Sequence, residues 1–181
     1  SDIGMALAIQ YAKNGFNLLL AARNNHELES FASKIRSETG KSVTLFELDI
    51  LDYSSHYEFY HNLPVKPIGA ISSVGYLGDQ QKAKIDFTEA KKIIDTNFSG
   101  IVNLFNIISN DFKKRRNGFL VGISSVAGDR GKKTNLIYSS AKAAFTAYLA
   151  GIRIDLTSFN VHVMTVKPGY VDTKMIRHLN T

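Results

Sequence analysis

Cysteine is absent from the 181 residues, which excludes a disulfide framework and thiolate chemistry and is compatible with a cytoplasmic location. No apolar run approaches the ~18 residues that a bilayer span requires, so no transmembrane segment is expected. The opening Ser1-Asp2-Ile3-Gly4 lacks the basic start and apolar stretch of a secretory signal. The five histidines are scattered, and a pair such as His56 and His61 has no recognisable ligand spacing with further donors, so no metal is expected. Repeats and low-complexity segments are also missing.

What remains is the profile of one folded domain. A 44% hydrophobic share with 21% charged residues argues against disorder. The length suits a single core, so residues 1–181 are read as one dinucleotide-binding and catalytic domain, expected to be incomplete at both ends. The net charge of +6 would suit an anionic ligand, an acidic partner, nucleic acid or a membrane surface, and selects none of them. The densest basic run, Lys113-Lys114-Arg115-Arg116, follows an apolar helical stretch, where cations complement the negative end of the helix dipole. It is read that way, and no nucleic-acid partner is expected.

Short β-branched and leucine-rich runs alternate with longer amphipathic segments, the rhythm of a parallel sheet covered by helices. A helix is expected from Gly4 to about Asn14 with Gly15 as its C-cap, then a strand over Phe16–Ala22. A helix from about Asn25 to Thr39 stops at Gly40 before a strand over Ser42–Leu48. Ile68–Val74 is the next strand, followed by a helix through Phe87–Lys114 with an interruption near Asp95–Asn97. Phe119–Ser124 is a strand, Tyr138–Thr157 a helix and Val161–Val166 the last clear strand. The expected fold is a doubly wound, Rossmann-type α/β/α sandwich without its first strand.

In open parallel sheets, ligands bind beyond the carboxyl ends of the strands. Arg23, Asp49, Gly75, Ser125 and Pro168-Gly169 all fall there. Tyr138 and Lys142 are four residues apart, so on a helix they share a face. Taken alone, that spacing also fits an ordinary helix face with a surface lysine. In a shared pocket, a fixed cation would bring the phenol toward a working acid-base range. Ser125 lies thirteen residues upstream, where it would hold the oxygen that Tyr138 protonates. Ser1-Asp2-Ile3-Gly4, opening a helix, looks like the tail of a dinucleotide-binding phosphate loop.

Together these residues resemble the short-chain dehydrogenase/reductase family, in order and over nearly the whole chain. The resemblance implies that Asn97, Ser125, Tyr138 and Lys142 form the catalytic tetrad, with Asn97 positioning a water that relays protons to Lys142. It also implies cofactor contacts from Ser1, Asp2, Ile3 and Gly4, from Asp49 at adenine, and from Ile50, Gly75, Tyr138 and Lys142. Pro168, Gly169, Val171 and Thr173 match the segment that holds the nicotinamide carboxamide. Ser72-Ser73-Val74-Gly75 departs from the family's usual Asn-Asn-Ala-Gly and keeps only the glycine. More narrowly, Tyr76-Leu77-Gly78-Asp79-Gln80 and Ser124–Arg130 resemble the decaprenylphosphoryl-2-keto-ribose reductase branch, which implies a keto-sugar on a polyprenyl phosphate.

Cofactor choice is argued from the end of the first strand. NAD-selective Rossmann proteins place a carboxylate there for the ribose 2′-hydroxyl, whereas arginine suits a 2′-phosphate. Ala22-Arg23-Asn24 has no carboxylate, so NADP (NADPH) is expected. The substrate is expected to be a small or lipid-linked carbonyl compound, the latter implying work at the membrane periphery. A 3-oxoacyl-(acyl carrier protein) reductase and a non-catalytic NADP-sensing scaffold remain alternatives. The resemblance further implies a homodimer or homotetramer, with Phe145 and Tyr148 serving either an interface or the core.

Overall fold

A computed structural model describes residues 1–175. The first half runs α1 (Asp2–Lys13), β1 (Leu18–Ala22), α2 (Glu29–Thr39), β2 (Val43–Glu47), α3 (Ser55–His61) and β3 (Gly69–Ser72). The second half runs α4 (Gln80–Ala83), α5 (Phe87–Ile94), α6 (Gly100–Arg115), β4 (Gly118–Ile123), α7 (Leu136–Thr157) and β5 (Val161–Val166). Tight 3-10 turns lie at Asn25–Leu28 and Val126–Gly128, and a π turn at Asp95–Ser99 joins α5 to α6.

All strands are parallel, as expected of a Rossmann-type α/β fold, but they form two half-sheets. β1 pairs with β2 from Leu18↔Val43 to Ala22↔Glu47. β4 pairs with β3 from Phe119↔Gly69 and with β5 from Gly118↔Val161. Among the described residues no strand pairs with both β1 and β3, so the sheet is discontinuous between them. Aromatic packing links the halves instead: Tyr11 of α1 stacks on Phe119 at 6.3 Å and meets Phe16 edge-on at 5.4 Å.

Strand alternation places helices on both faces. Leu18 and Leu20 pack with Ala8, Ala12, Ala32 and Ile35 of α1 and α2, while Leu19 joins the opposite cluster with Tyr60 of α3 and Phe105 of α6. In β4, Leu120 is buried in the cluster that holds Phe112, Phe145 and Leu149, whereas Val121 and Ile123 line a groove with Ile3 and Leu7 of α1. Burying each such large side chain contributes about 1.5–3 kcal/mol before the entropy of ordering is subtracted.

Several expected boundaries move. α1 starts at Asp2 rather than Gly4, because the Ser1 hydroxyl accepts from Gly4 N at 3.2 Å and makes Ser1 the N-cap. Its C-cap is Asn14, and Gly15, at φ +95°, lies one residue beyond. β1 begins at Leu18, not Phe16, whereas α2 stops at Gly40 in the left-handed region as expected. The break near Asp95–Asn97 is the π turn. α3 and α4 are unforeseen. Phe145 is fully buried, which assigns it to the core, and Tyr148 donates to Asn106 Oδ1 at 2.8 Å. The basic run closes α6: Lys113 pairs with Asp155, Arg115 with Asp111, and Arg116 is the left-handed cap.

Candidate active site

β4 ends at Ile123, and the chain turns through Ser124–Gly128 onto the side of α7. That turn is tightly fixed. Ser124 Oγ, Thr146 Oγ1 and the Lys142 carbonyl oxygen lie 3.0, 2.7 and 2.9 Å from one another. Ser125 Oγ accepts from Ala127 N at 3.0 Å. Gly128 touches the α7 backbone: a Cβ there would sit 2.7 Å from Ala143 N and 2.8 Å from the Lys142 carbonyl carbon. Gly128→Ala must therefore push the Ser125 turn away from α7. We expect it to destabilise the fold by about 1–3 kcal/mol and to lower kcat more than KM, which urea unfolding and steady-state kinetics would check; an unchanged kcat would show that the Ser125–Tyr138 spacing does not matter.

Tyr138 and Lys142 lie on successive turns of α7, with Lys142 Nζ 5.8 Å from the centre of the Tyr138 ring. Lys142 is 2% exposed and donates to the Ile123 carbonyl at 3.1 Å. Burial pulls its pKa down to about 8. Tyr138 moves the opposite way: burial raises its pKa, and the Ser125 hydroxyl opposes the rise. Desolvation dominates both groups, so the net shift of Tyr138 is upward rather than the downward one expected beside Lys142. At neutral pH the pair is a protonated phenol beside a weakened ammonium.

Asn97 is fully buried in the π turn, where the extra residue points its side chain inward. Its Oδ1 accepts from Tyr76 N at 3.2 Å, and its Nδ2 donates to the carbonyls of Tyr76 and Ile93 at 2.6 and 2.8 Å. The amide therefore clamps the turn after β3. Gly75 connects the group: a Cβ on it would lie 3.5 Å from Asn97 Oδ1, 3.9 Å from Lys142 Nζ and 3.2 Å from Met175 Cε. The structure thus brings Asn97, Gly75, Ser125, Tyr138 and Lys142 to one rim of the sheet.

The whole chain, residues 1–181, matches the family described as short chain dehydrogenase. An oxidoreductase of Mycobacterium tuberculosis (strain H37Rv), itself uncharacterised, is 33% identical, covering 97% of this chain and 71% of the relative. The chain belongs to the short-chain dehydrogenase family. These are nicotinamide-dependent oxidoreductases. The 3-oxoacyl-[acyl-carrier-protein] reductase of Chlamydia trachomatis is 24% identical over 98% of this chain and 73% of its own length. The fold of the short-chain dehydrogenase from Sphingobium yanoikuyae, solved in complex with NADPH, matches with a TM-score of 0.88 at 22% identity, over 96% of this chain and 69% of that one.

The residues of this dehydrogenase fit a dinucleotide. The first turn of α1 presents backbone N–H groups and the positive end of a 12-residue helix. Gly4 is packed against Ser73 Oγ, so a Cβ there would force that hydroxyl to turn away. Ile3, Pro168 and Val171 line one apolar groove. The Arg23 guanidinium, exposed past β1, has no hydrogen-bond or ion-pair partner among the described residues. Asp49 Oδ1 accepts from Leu51 N at 2.9 Å, and Ile50 is buried beside it.

Other expected contacts already have partners or none. Asp2 accepts from Lys174 N at 2.7 Å, tying the start of α1 to the segment after Thr173. Ser1 Oγ is used by the helix cap. Gly169 is exposed, and Thr173 is half-buried. The Ser72 hydroxyl, at the first position of the departed asparagine motif, is buried with no hydrogen-bond partner among the described residues.

Two features were missed from sequence. Buried Glu89 accepts from Tyr76 OH at 2.8 Å and Asp79 N at 3.1 Å, and so holds the loop that faces Tyr138. Gln80 Oε1 accepts from Ile137 N, beside Tyr138. The Asp86 N-cap followed by Glu89 was the available signal for an ordered α5 start, but it did not reveal Tyr76 as a partner. Among the described residues no metal-binding cluster occurs and no helix is long and apolar enough to cross a membrane.

Proposed function

We propose that the protein is an NADP-dependent carbonyl reductase. The observation that carries the reading is the enclosed Tyr138 phenol, its pKa raised by burial against the opposing Ser125 hydroxyl, on the turn of α7 before the buried Lys142. Bound NADPH supplies the hydride that reaches the carbonyl carbon. Tyr138 gives its proton to the carbonyl oxygen. Ser125 Oγ orients that oxygen and donates to the charge that develops there, a contribution of a few kcal/mol in a dry site. Lys142, when protonated, stabilises the phenolate left behind and holds the nicotinamide ribose. Asn97 fixes the Tyr76 turn and, as the family resemblance implies, positions a water that passes protons to Lys142.

The unpartnered Arg23 supports NADP over NAD, because a guanidinium complements a 2′-phosphate. Asp49 and Ile50 border the adenine, and Ser1–Gly4, Gly75, Pro168, Gly169, Val171 and Thr173 complete the cofactor contacts. The finer reading of the substrate is a keto-sugar on a polyprenyl phosphate. Its support is the two resembling loop strings, together with Arg130, Lys132 and Lys133 in the segment that leads from Ser125 to Tyr138, where cations suit a phosphate. A 3-oxoacyl thioester is the second reading, favoured by the Chlamydia relative. NADPH oxidation with keto-sugar phosphates and with 3-oxoacyl thioesters separates the two. NADPH binding without turnover of either class would sink the reductase reading in favour of a sensor.

The Lys142 pKa of about 8 gives this reading a pH signature. Deprotonation on rising pH removes the charge that stabilises the phenolate. Reductive kcat/KM is therefore expected to be level near neutrality and to fall about tenfold per pH unit beyond about 8. Stability has the opposite sign. A lysine depressed from 10.5 to about 8 binds its proton less well in the fold than in the unfolded chain, so stability rises over that interval. Activity falling while thermal stability holds would distinguish active-site titration from unfolding; activity still level at pH 9.5 would remove protonated Lys142 from the mechanism.

A further inference from the structure

His56 is a buried titratable group that the proposed chemistry leaves unused. It is fully enclosed, in the first turn of α3, seven residues after Asp49. Its Nε2 is 3.3 Å from the Asp49 carbonyl oxygen, and its Nδ1 is 3.0 Å from Asn103 Nδ2 of α6. Asn103 Nδ2 also donates to the Tyr53 carbonyl at 3.2 Å, which makes this end of the amide the donor. Nδ1 must then accept. The ring proton therefore sits on Nε2 and is donated to Asp49 O.

The turn held in this way has little freedom elsewhere. Asp49 O also accepts from Asp52 N at 3.1 Å. Behind it, the Ile50 carbonyl lies against Gly100 of α6 with no room for a side chain. The charged groups that face the imidazole are the Asp49 and Asp52 carboxylates on its own loop; α6 presents only the neutral Asn103, and the Tyr53 ring lies 6.0 Å away. We propose that His56 is a positioning residue for the adenine end of the cofactor: as the neutral Nε2–H tautomer it fixes the Asp49–Ile50 turn, and its protonation frees that turn. The proposal rests on the reading that Asp49 and Ile50 border adenine.

Protonation at Nδ1 would face the Asn103 donor, so the charged ring has no acceptor there. Burial is the largest influence on His56 and lowers its pKa below 6.5, outweighing the hydrogen bond to the Asp49 carbonyl and the two carboxylates, all of which favour the charged ring; charging the enclosed imidazole is therefore relieved by opening of the turn. The effect is therefore absent above about pH 6.5 and grows as pH falls below it.

The test is the NADPH dissociation constant, read by cofactor fluorescence from pH 5 to 8, with kcat at saturating NADPH. His56→Ala should raise Kd about tenfold, the loss of one buried hydrogen bond, and leave kcat within about twofold. His56→Gln, whose amide can still donate to Asp49 O, should recover most of that affinity without the titration. The ratio of wild-type to His56→Gln Kd should be flat above pH 6.5 and climb below it; taking the ratio cancels titration of the cofactor's own phosphate. Imidazole nitrogen chemical shifts on the wild type provide a check that needs no variant, and must report the Nε2–H tautomer. Unchanged Kd in His56→Ala, a pH-independent ratio, or the Nδ1–H tautomer overturns the proposal while leaving the reductase reading intact. A wild type that binds no NADPH overturns both.

Discussion

Tyr138→Phe is expected to lower kcat/KM for carbonyl reduction by about three orders of magnitude, within the range for loss of a positioned proton donor, while the NADPH dissociation constant stays within about twofold. The substitution removes one oxygen and keeps the ring. Packing of that ring against Ala83, Ala90 and Ile93, and its face toward Lys142, are preserved, so folding should be spared. Ser125 is the nearest competing donor. Its Oγ already accepts from Ala127 N, and its ordinary acidity is far below that of a phenol, so it cannot replace Tyr138. Residual turnover above about a tenth of wild type would take Tyr138 out of proton transfer.

The second large effect concerns Arg23. Arg23→Asp should shift the NADPH:NADH ratio of kcat/KM toward NADH by about 100-fold, the size of removing one charge-assisted hydrogen bond and adding one like-charge repulsion. The guanidinium has no other partner among the described residues, so its removal leaves nothing unpaired. Glu47, at the end of β2, stays engaged with Asn25 N at 3.2 Å and does not substitute for the new carboxylate. An unchanged ratio would refute recognition of the phosphate by Arg23.

The alternation of strands and helices was legible because each strand is a short apolar run and each long helix has punctuation at its end, as Gly40 shows for α2. Tyr138 and Lys142 were legible as a pair because helical spacing alone puts them on one face. Their pKa directions were not, because these depend on enclosure by residues distant in sequence. Asn97 was found, but its partners were not: Tyr76 is 21 positions away, and only the tertiary fold brings its backbone to the amide. α3 was missed because seven residues carrying two histidines and two tyrosines show no clean apolar period. His56 and Tyr60, four apart and both buried, were its only stripe.

The π turn at Asp95–Ser99 also resets the rotational phase of the chain. An α-helix turns roughly 100° per residue, so one additional residue in a turn swings the downstream stripe by about that angle relative to the upstream one. Upstream, Glu89, Ala90 and Ile93 face the Tyr76 loop and α7; downstream, Ile101, Phe105 and Ile108 face the main core. An uninterrupted helix would carry one of these stripes out of register. Asn97 stands at the point where the two screws are joined, so the irregularity that aims its amide is the same one that lets a single rod serve two differently oriented walls.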